Sequence, residues 1–292
     1  MPTVLLPDRT VIAVTGEDAE QLLQNVVTCE VEQLGFGSAV PGALLTPQGK
    51  ILFDFLLLKA PQGGFLIDIR ADETAAFIKR MTMYKLRSKA DFSVMEQHVV
   101  ATSFQPDSGQ PAFDGKDTWH DDRFWDGSVF RHVLQAEKTA VITETDLSLW
   151  HSKRVEYGVV ESGADYALGD AFPHDVSFDS NGGVDFRKGC YVGQEVVSRM
   201  QHRGTARRRV MIVEASAALH TSGADVTADG KPVGTLGTVV GDRALMIGRI
   251  DRVHDARTDG VALMAEDIEI KAVQLPPNVA YGWPDDGTKT DA

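Results

Sequence analysis

Between Arg187 and Arg209 the chain reads RKGCYVGQEVVSRMQHRGTARRR, seven basic residues (Arg187, Lys188, Arg199, Arg203, Arg207, Arg208, Arg209) against the single acid Glu195. The segment therefore carries +6 within a 292-residue chain whose formal net charge is -13, a local anion-attracting patch on an acidic molecule. Solvated surface charge is the other reading of such a run. What favours chemistry is the neighbouring Lys188-Gly189-Cys190. Gly189 and Gly193 allow backbone to approach a ligand, and a helix starting near Gly193 would act with Lys188 to favour Cys190 as thiolate. Cys29, after the apolar pair Val26 and Val27 and before Glu30, reads instead as a buried, inert thiol.

A second chemical signal is Asp54. Period two in the strand Ile51 to Leu58 puts Ile51, Phe53, Phe55 and Leu57 on one face and Leu52, Asp54, Leu56 and Leu58 on the other. A single carboxylate in that setting must be hydrogen-bonded, paired with an internal arginine, or kept for a ligand. Other chemistries lack their groups: there is no GxxxxGK[ST], GxSxG or HExxH. The eight histidines form no pair at metal spacing, so no metal site is expected, and His174 and His202 read as surface residues.

These residues need a scaffold, and the composition supplies one. At 43% hydrophobic and 24% charged, the chain is globular and long enough for about two domains. The acidic balance disfavours a protein that coats nucleic acid or anionic membrane with its whole surface. The opening MPTVLLPDRT reaches Asp8 and Arg9 early, and Asp54 interrupts the densest apolar run, so neither export nor a membrane span is expected. Two cysteines outside any CxxC pair suggest no disulfide and a reducing cytoplasm.

Along the chain, Thr15 three residues before Asp18 suggests a capped helix over 16–27, with Ala19, Leu22, Leu23 and Val26 on one face. Residues 41–70 alternate β-rich runs with Pro and Gly breakers, the pattern of antiparallel hairpins. Further helices are predicted over 72–84 and 146–157, the latter ending at Gly158, with a long loop or border over 103–119 and a strand over 129–134. Helices then largely cease after Met200, and 207–275 reads as a compact β-barrel or sandwich. The end, from Pro276, reads as a weakly ordered tail.

KGCYVGQEVVSR resembles the YgfZ-type branch of the glycine-cleavage T-protein superfamily, whose signature is K-G-C-[FY]-x-G-Q-E followed closely by Arg. QLLQNVVTCEV, LTPQGKILFDF, YKLRSKADF and WHSKRVEYGVVE are similar to further segments of that family. The resemblance implies an α+β, three-lobed aminomethyltransferase-like body: a folate-binding region over 1–203, a small β-barrel over 204–276 and a tail over 277–292. It implies tetrahydrofolate as cofactor and places Lys188, Gly189, Cys190, Tyr191, Gly193, Gln194 and Glu195 on the signature, with Cys190 and Lys188 at the chemistry. Asp54 falls near a catalytic carboxylate of the true T-proteins, Glu161 is placed to accept the amino-pyrimidine edge of a pterin, and Arg199 belongs to the patch that would meet folate's carboxylate tail. The implied role is folate-dependent support of iron-sulfur cluster assembly or repair with indirect effects on tRNA modification, as a monomer that meets assembly machinery or client enzymes. Whether it turns over a substrate stays open. A folate-dependent aminomethyltransferase is the alternative, disfavoured by cysteine at position 190, and an RNA-binding scaffold is a third, disfavoured by the acidic remainder.

Overall fold

The computed structural model describes residues 2–104, 113, 115–142 and 146–284. The chain forms two compact units. Unit 1 comprises Met1–Pro47, Leu52–Leu147 and Asn181–Gln194, and unit 2 comprises Gln48–Ile51, Ser148–Ser180 and Glu195–Ala292. This division differs from a boundary at residue 203, because the segments 48–51 and 148–180 associate with the C-terminal part.

Unit 1 is built on β1 (Thr3–Leu5), β2 (Arg9–Thr15), α1 (Ala19–Val26), β3 (Ser38–Leu45), β4 (Ile51–Lys59), β5 (Phe65–Arg70), α2 (Thr74–Lys85), β6 (Asp91–Val94), β7 (His98–Phe104), β8 (Thr118–Asp121) and β9 (Val129–Gln135). The nine strands form one sheet in the order β1-β7-β9-β8-β3-β4-β5-β2-β6. Leu57 pairs with Ile67 of β5, which pairs in turn with Ile12 of β2, so these residues share one face. That face packs under the helices: Phe53, Phe55 and Leu57 join Leu23 and Val26 of α1 and Phe77 and Met81 of α2 in one core. The Phe77 ring stands edge-on to Phe53 and Phe55, with centroids 5.5 and 5.7 Å apart. The expected hairpins and the helices near 72–84 and 146–157 are present. The first helix is shorter than expected, because Thr15 ends β2 and Asp18 does not cap the helix with its side chain. Asp18 Oδ2 instead accepts the backbone N–H of Lys89 at 2.7 Å. Of the predicted 103–119 loop, residues 105–112 and 114 lie outside the described residues, and 118–119 belong to β8.

Unit 2 contains most of α3 (Leu147–Tyr157), most of α4 (Gln194–Arg203), and β10 (Arg208–Ala215), β11 (Asp225–Ala228), β12 (Lys231–Val240), β13 (Arg243–Arg249), α5 (Ile250–Thr258), β14 (Leu263–Ala265) and β15 (Ile268–Gln274). Its six strands close into a barrel in the order β10-β13-β12-β11-β14-β15, which leaves no open edge for another chain to extend. Helix α5 is unexpected. Its buried residues Ile250, Val253 and Ala256 recur every third position, a pattern that the surrounding β-branched runs obscured. Residues 276–284 are not a loose tail. Tyr281 Oη donates to Val210 O at 3.0 Å, and the Arg209 guanidinium lies 4.3 Å from its ring centre. Residues 285–292 lie outside the described residues. Among the described residues no helix is long and apolar enough to cross a membrane.

Candidate functional site

The signature loop is fastened to unit 1 from below. Asp185 Oδ1 accepts the backbone N–H groups of Arg187 and Lys188 at 2.6 and 3.0 Å, an Asx-type turn, and Asp185 N–H donates to Thr28 O at 2.9 Å. Lys188 is buried. Its ammonium donates to Val27 O at 2.9 Å and Cys29 O at 2.5 Å, where α1 has just ended and a cation is favourable. Burial pulls the Lys188 pKa below the ordinary lysine value. The same ammonium opposes the rise in the Cys29 thiol's pKa. The fold makes Lys188 a staple between the loop and the turn after α1.

Cys29 is fully buried, and a Cβ at Gly42 would lie 2.7 Å from its sulfur. Burial pushes its pKa up to about 12, with Lys188 opposing and Glu30 adding to the rise. Cys190 is exposed. A Cβ on Gly189 would meet nothing within 4 Å, so no packing demands glycine beside that thiol. Tyr191, 7% exposed, turns inward: the Lys188 ammonium lies 5.8 Å from its ring centre, and its hydroxyl is buried with no hydrogen-bond partner among the described residues. Burial raises the phenol pKa. Gly193 holds φ +81°, a conformation glycine adopts without strain, and α4 begins at Gln194 as predicted. Glu195 and Arg199 form an ion pair with each other one turn apart on the exposed surface of α4.

Unit 2 holds a second constellation around Glu161. Arg154, on α3 and fully buried, donates Nη1 to Asp165 Oδ2 at 2.6 Å and Nη2 to Thr238 Oγ1 at 2.7 Å, while its Nε lies 3.2 Å from Glu161 Oε2. Asp165 also accepts the Glu161 and Thr238 backbone N–H groups, at 2.7 and 2.6 Å. Trp150 Nε1 reaches Glu161 Oε2 at 3.4 Å. The Glu161 side chain, 14% exposed, is thus an oriented carboxylate at the margin of a buried network. Arg154 and Asp165 were missed in the sequence. The signal was Arg154 four residues after Trp150, the spacing that sets it on the same buried helix face.

Asp54 is half-buried on β4, on the face opposite Phe53 and Phe55. A second strand carboxylate, Asp68, interrupts FLIDIR in the same way and forms an internal ion pair. Asp68 is fully buried, 2.7 Å from Arg9 Nε and 3.3 Å from Arg131 Nε, and Arg131 continues to Asp121 at 3.2 Å. His174 is likewise buried rather than at the surface, with Nε2 3.1 Å from Gln201 Oε1, whereas His202 is exposed. The structure therefore groups Lys188, Cys190, Tyr191, Gly193 and Gln194 in one loop of unit 1, with Asp54 elsewhere on that unit's sheet. Glu161, Glu195 and Arg199 belong to unit 2.

Residues 207–279 match the family described as CAF17, C-terminal beta-barrel domain. The chain is 30% identical over 241 residues to an iron-sulfur cluster assembly factor IBA57 homolog, mitochondrial, of Neurospora crassa, covering 70% of this chain and 52% of that protein. It is 29% identical over 258 residues to the iron-sulfur cluster assembly factor IBA57, mitochondrial, of Mus musculus, covering 78% and 72%. The chain spans about half the length of the fungal relative. These relatives are named as mitochondrial, which overturns the cytoplasmic location expected from the cysteines and the opening residues. Among solved structures, the glycine cleavage system aminomethyltransferase T of Bartonella henselae superposes with a TM-score of 0.70 at 15% identity, covering 94% of this chain and 84% of that one. The chain thus has the aminomethyltransferase-like α+β fold, ending in a closed six-stranded barrel similar to the C-terminal domain of CAF17.

Proposed function

We propose that this protein is a YgfZ-type, tetrahydrofolate-binding factor that supports iron-sulfur cluster assembly or repair through contact with the assembly machinery or client enzymes. Effects on tRNA modification would then follow indirectly, through cluster enzymes. The observation that carries the reading is the exposed Cys190 on a loop anchored by the buried Lys188. A thiolate is a soft ligand suited to iron or sulfur cargo, and anchoring the residues on either side fixes where it is presented. The names of the relatives support the same role.

The chemistry of the donors fits folate. Glu161, held by Arg154 and Trp150, presents a fixed acceptor for a pterin N–H pair. Taken by itself, unit 1 offers the buried Tyr191 hydroxyl, the half-buried Asp54 and the backbone at Gly193 and Gln194 as polar groups. Glu195 and Arg199 would have to exchange their mutual pair for the ligand's carboxylates. When bound, tetrahydrofolate supplies a carrier for a one-carbon unit; the chain's own part is to orient the pterin and to present the thiol.

Calorimetric titration with tetrahydrofolate tests this. Glu161→Gln and Asp54→Asn are each expected to weaken binding by about 1.5–3 kcal/mol, the range for a hydrogen bond to a charged group. Wild-type affinity in both variants overturns the assignment. Aminomethyl transfer is the second reading, favoured only by the fold, and detection of that transfer with a Cys190→Ser variant of full activity would select it.

A further inference from the structure

Helix α2 carries a surface that folate binding does not use. Its inner face, Phe77 and Met81, is in the core, whereas Ala75, Ala76, Lys79, Thr82, Met83 and Leu86 form a continuous exposed stripe at helical spacing. Two members are large and apolar: Met83 is 61% exposed and Leu86 is 87% exposed. Leu86 is also held at φ 47°, ψ -103°, a conformation that favours glycine. An apolar side chain kept in water on a strained backbone has no folding rationale. Beside it opens a shallow hollow of about 660 Å³ lined by Asp18, Leu86, Arg87 and Ser88.

The chain segment that carries this stripe is basic. From Lys79 to Lys89 there are five cations and no acid, in a chain of net charge -13. Lys85 and Lys89 are matched by Asp91 and Glu17, and Asp18 binds the Lys89 backbone N–H. Lys79, Arg80 and Arg87 have no ion pair among the described residues.

We infer that this end of α2 is a docking site for an acidic protein segment that carries apolar side chains, with Leu86 and Met83 as the apolar contacts and Lys79, Arg80 and Arg87 as the charge partners. Complementarity of charge sets the partner's sign, and the hollow beside Leu86 accepts an inserted side chain. Asp18 also lines the hollow, so the group inserted there is an apolar side chain and not a carboxylate.

The test uses fluorescence anisotropy of a fluorescein-labelled peptide of glutamate pairs separated by leucines, at low salt. The expected result is saturable binding to the full chain that weakens as salt rises and falls about tenfold, or 1.4 kcal/mol, in a Lys79→Gln/Arg80→Gln/Arg87→Gln variant. A separate Met83→Ser/Leu86→Ser variant, shown by circular dichroism to be folded, is expected to lose a similar amount. Equal binding of a lysine-for-glutamate peptide, undiminished binding by both variants, or no peptide binding overturns the inference. Binding to phosphatidylglycerol vesicles without binding to the peptide overturns it in favour of a membrane surface.

Discussion

The Lys188 ammonium donates to the Cys29 carbonyl across 159 residues of chain, tying the signature loop to the turn that follows α1. Replacing it with Lys188→Met leaves two buried carbonyls without their donor. A loss of about 2–3 kcal/mol in unfolding free energy is expected. Denaturant unfolding of the variant checks it. Wild-type stability combined with loss of the proposed role in cluster assembly would move Lys188 from support to chemistry.

The two thiols differ in access. Cys29 is fully buried with its pKa raised to about 12, while Cys190 is exposed. Iodoacetamide at neutral pH should label Cys190 alone in the folded protein, and Cys29 only after denaturation, as read by peptide mass. Labelling of Cys29 at a comparable rate in the native state would refute the assignment.

Much of this was legible in the sequence because it is local. Gly193 and Gln194 announce the start of α4, and the alternation of Ile51–Leu58 announces a strand with Asp54 on one face. What the chain order hides is which distant groups meet. Lys188 is two residues from Cys190 yet serves carbonyls of the α1 turn, and Asp68 of β5 meets arginines from β2 and β9. Both outcomes depend on strand order and register, which no local pattern encodes.

His132 supplies a pH dependence. It is fully buried, with Nε2 2.7 Å from Ser103 Oγ and Nδ1 2.9 Å from Thr118 Oγ1. Burial and the adjacent Arg131 charge lower its pKa from 6.5 to about 3. As pH falls between those values, the unfolded chain takes up a proton that the folded one refuses, so stability present above about 6.5 drains away toward about 3. The full effect is on the order of 5 kcal/mol. Unfolding measured across this range should show a shallower acid limb for His132→Gln; an unchanged limb would exclude His132 as its source.

Gly237 tests how Glu161 is held. A Cβ there would lie 2.5 Å from Asp165 Oδ1, the oxygen that accepts the Thr238 backbone N–H. Gly237→Ala must displace Asp165 and with it Arg154, the shared support of Glu161. A destabilisation of about 1–3 kcal/mol is expected from the overpacking, accompanied, if Glu161 holds the proposed folate, by weaker tetrahydrofolate binding in the calorimeter. Weakened stability with unchanged folate affinity would separate this network from the ligand.

Leu86 gives the sharpest contrast between stability and docking. Its φ of 47° and ψ of -103° lie where a Cβ is penalised and glycine is not. Releasing such strain gains about 1–3 kcal/mol, while glycine's extra freedom in the unfolded chain costs about 0.5–1 kcal/mol. Because the side chain is 87% exposed, little buried apolar area is lost. Leu86→Gly should therefore be more stable than wild type, by about 1 kcal/mol on balance, a rise of about 1–2 °C in Tm for a chain of 292 residues. The same variant should bind the glutamate-leucine peptide less tightly, since the most exposed apolar contact is gone. Calorimetric melting and anisotropy on one preparation decide the matter: a lower Tm denies the strain, and a higher Tm with full peptide affinity denies Leu86 its part in docking.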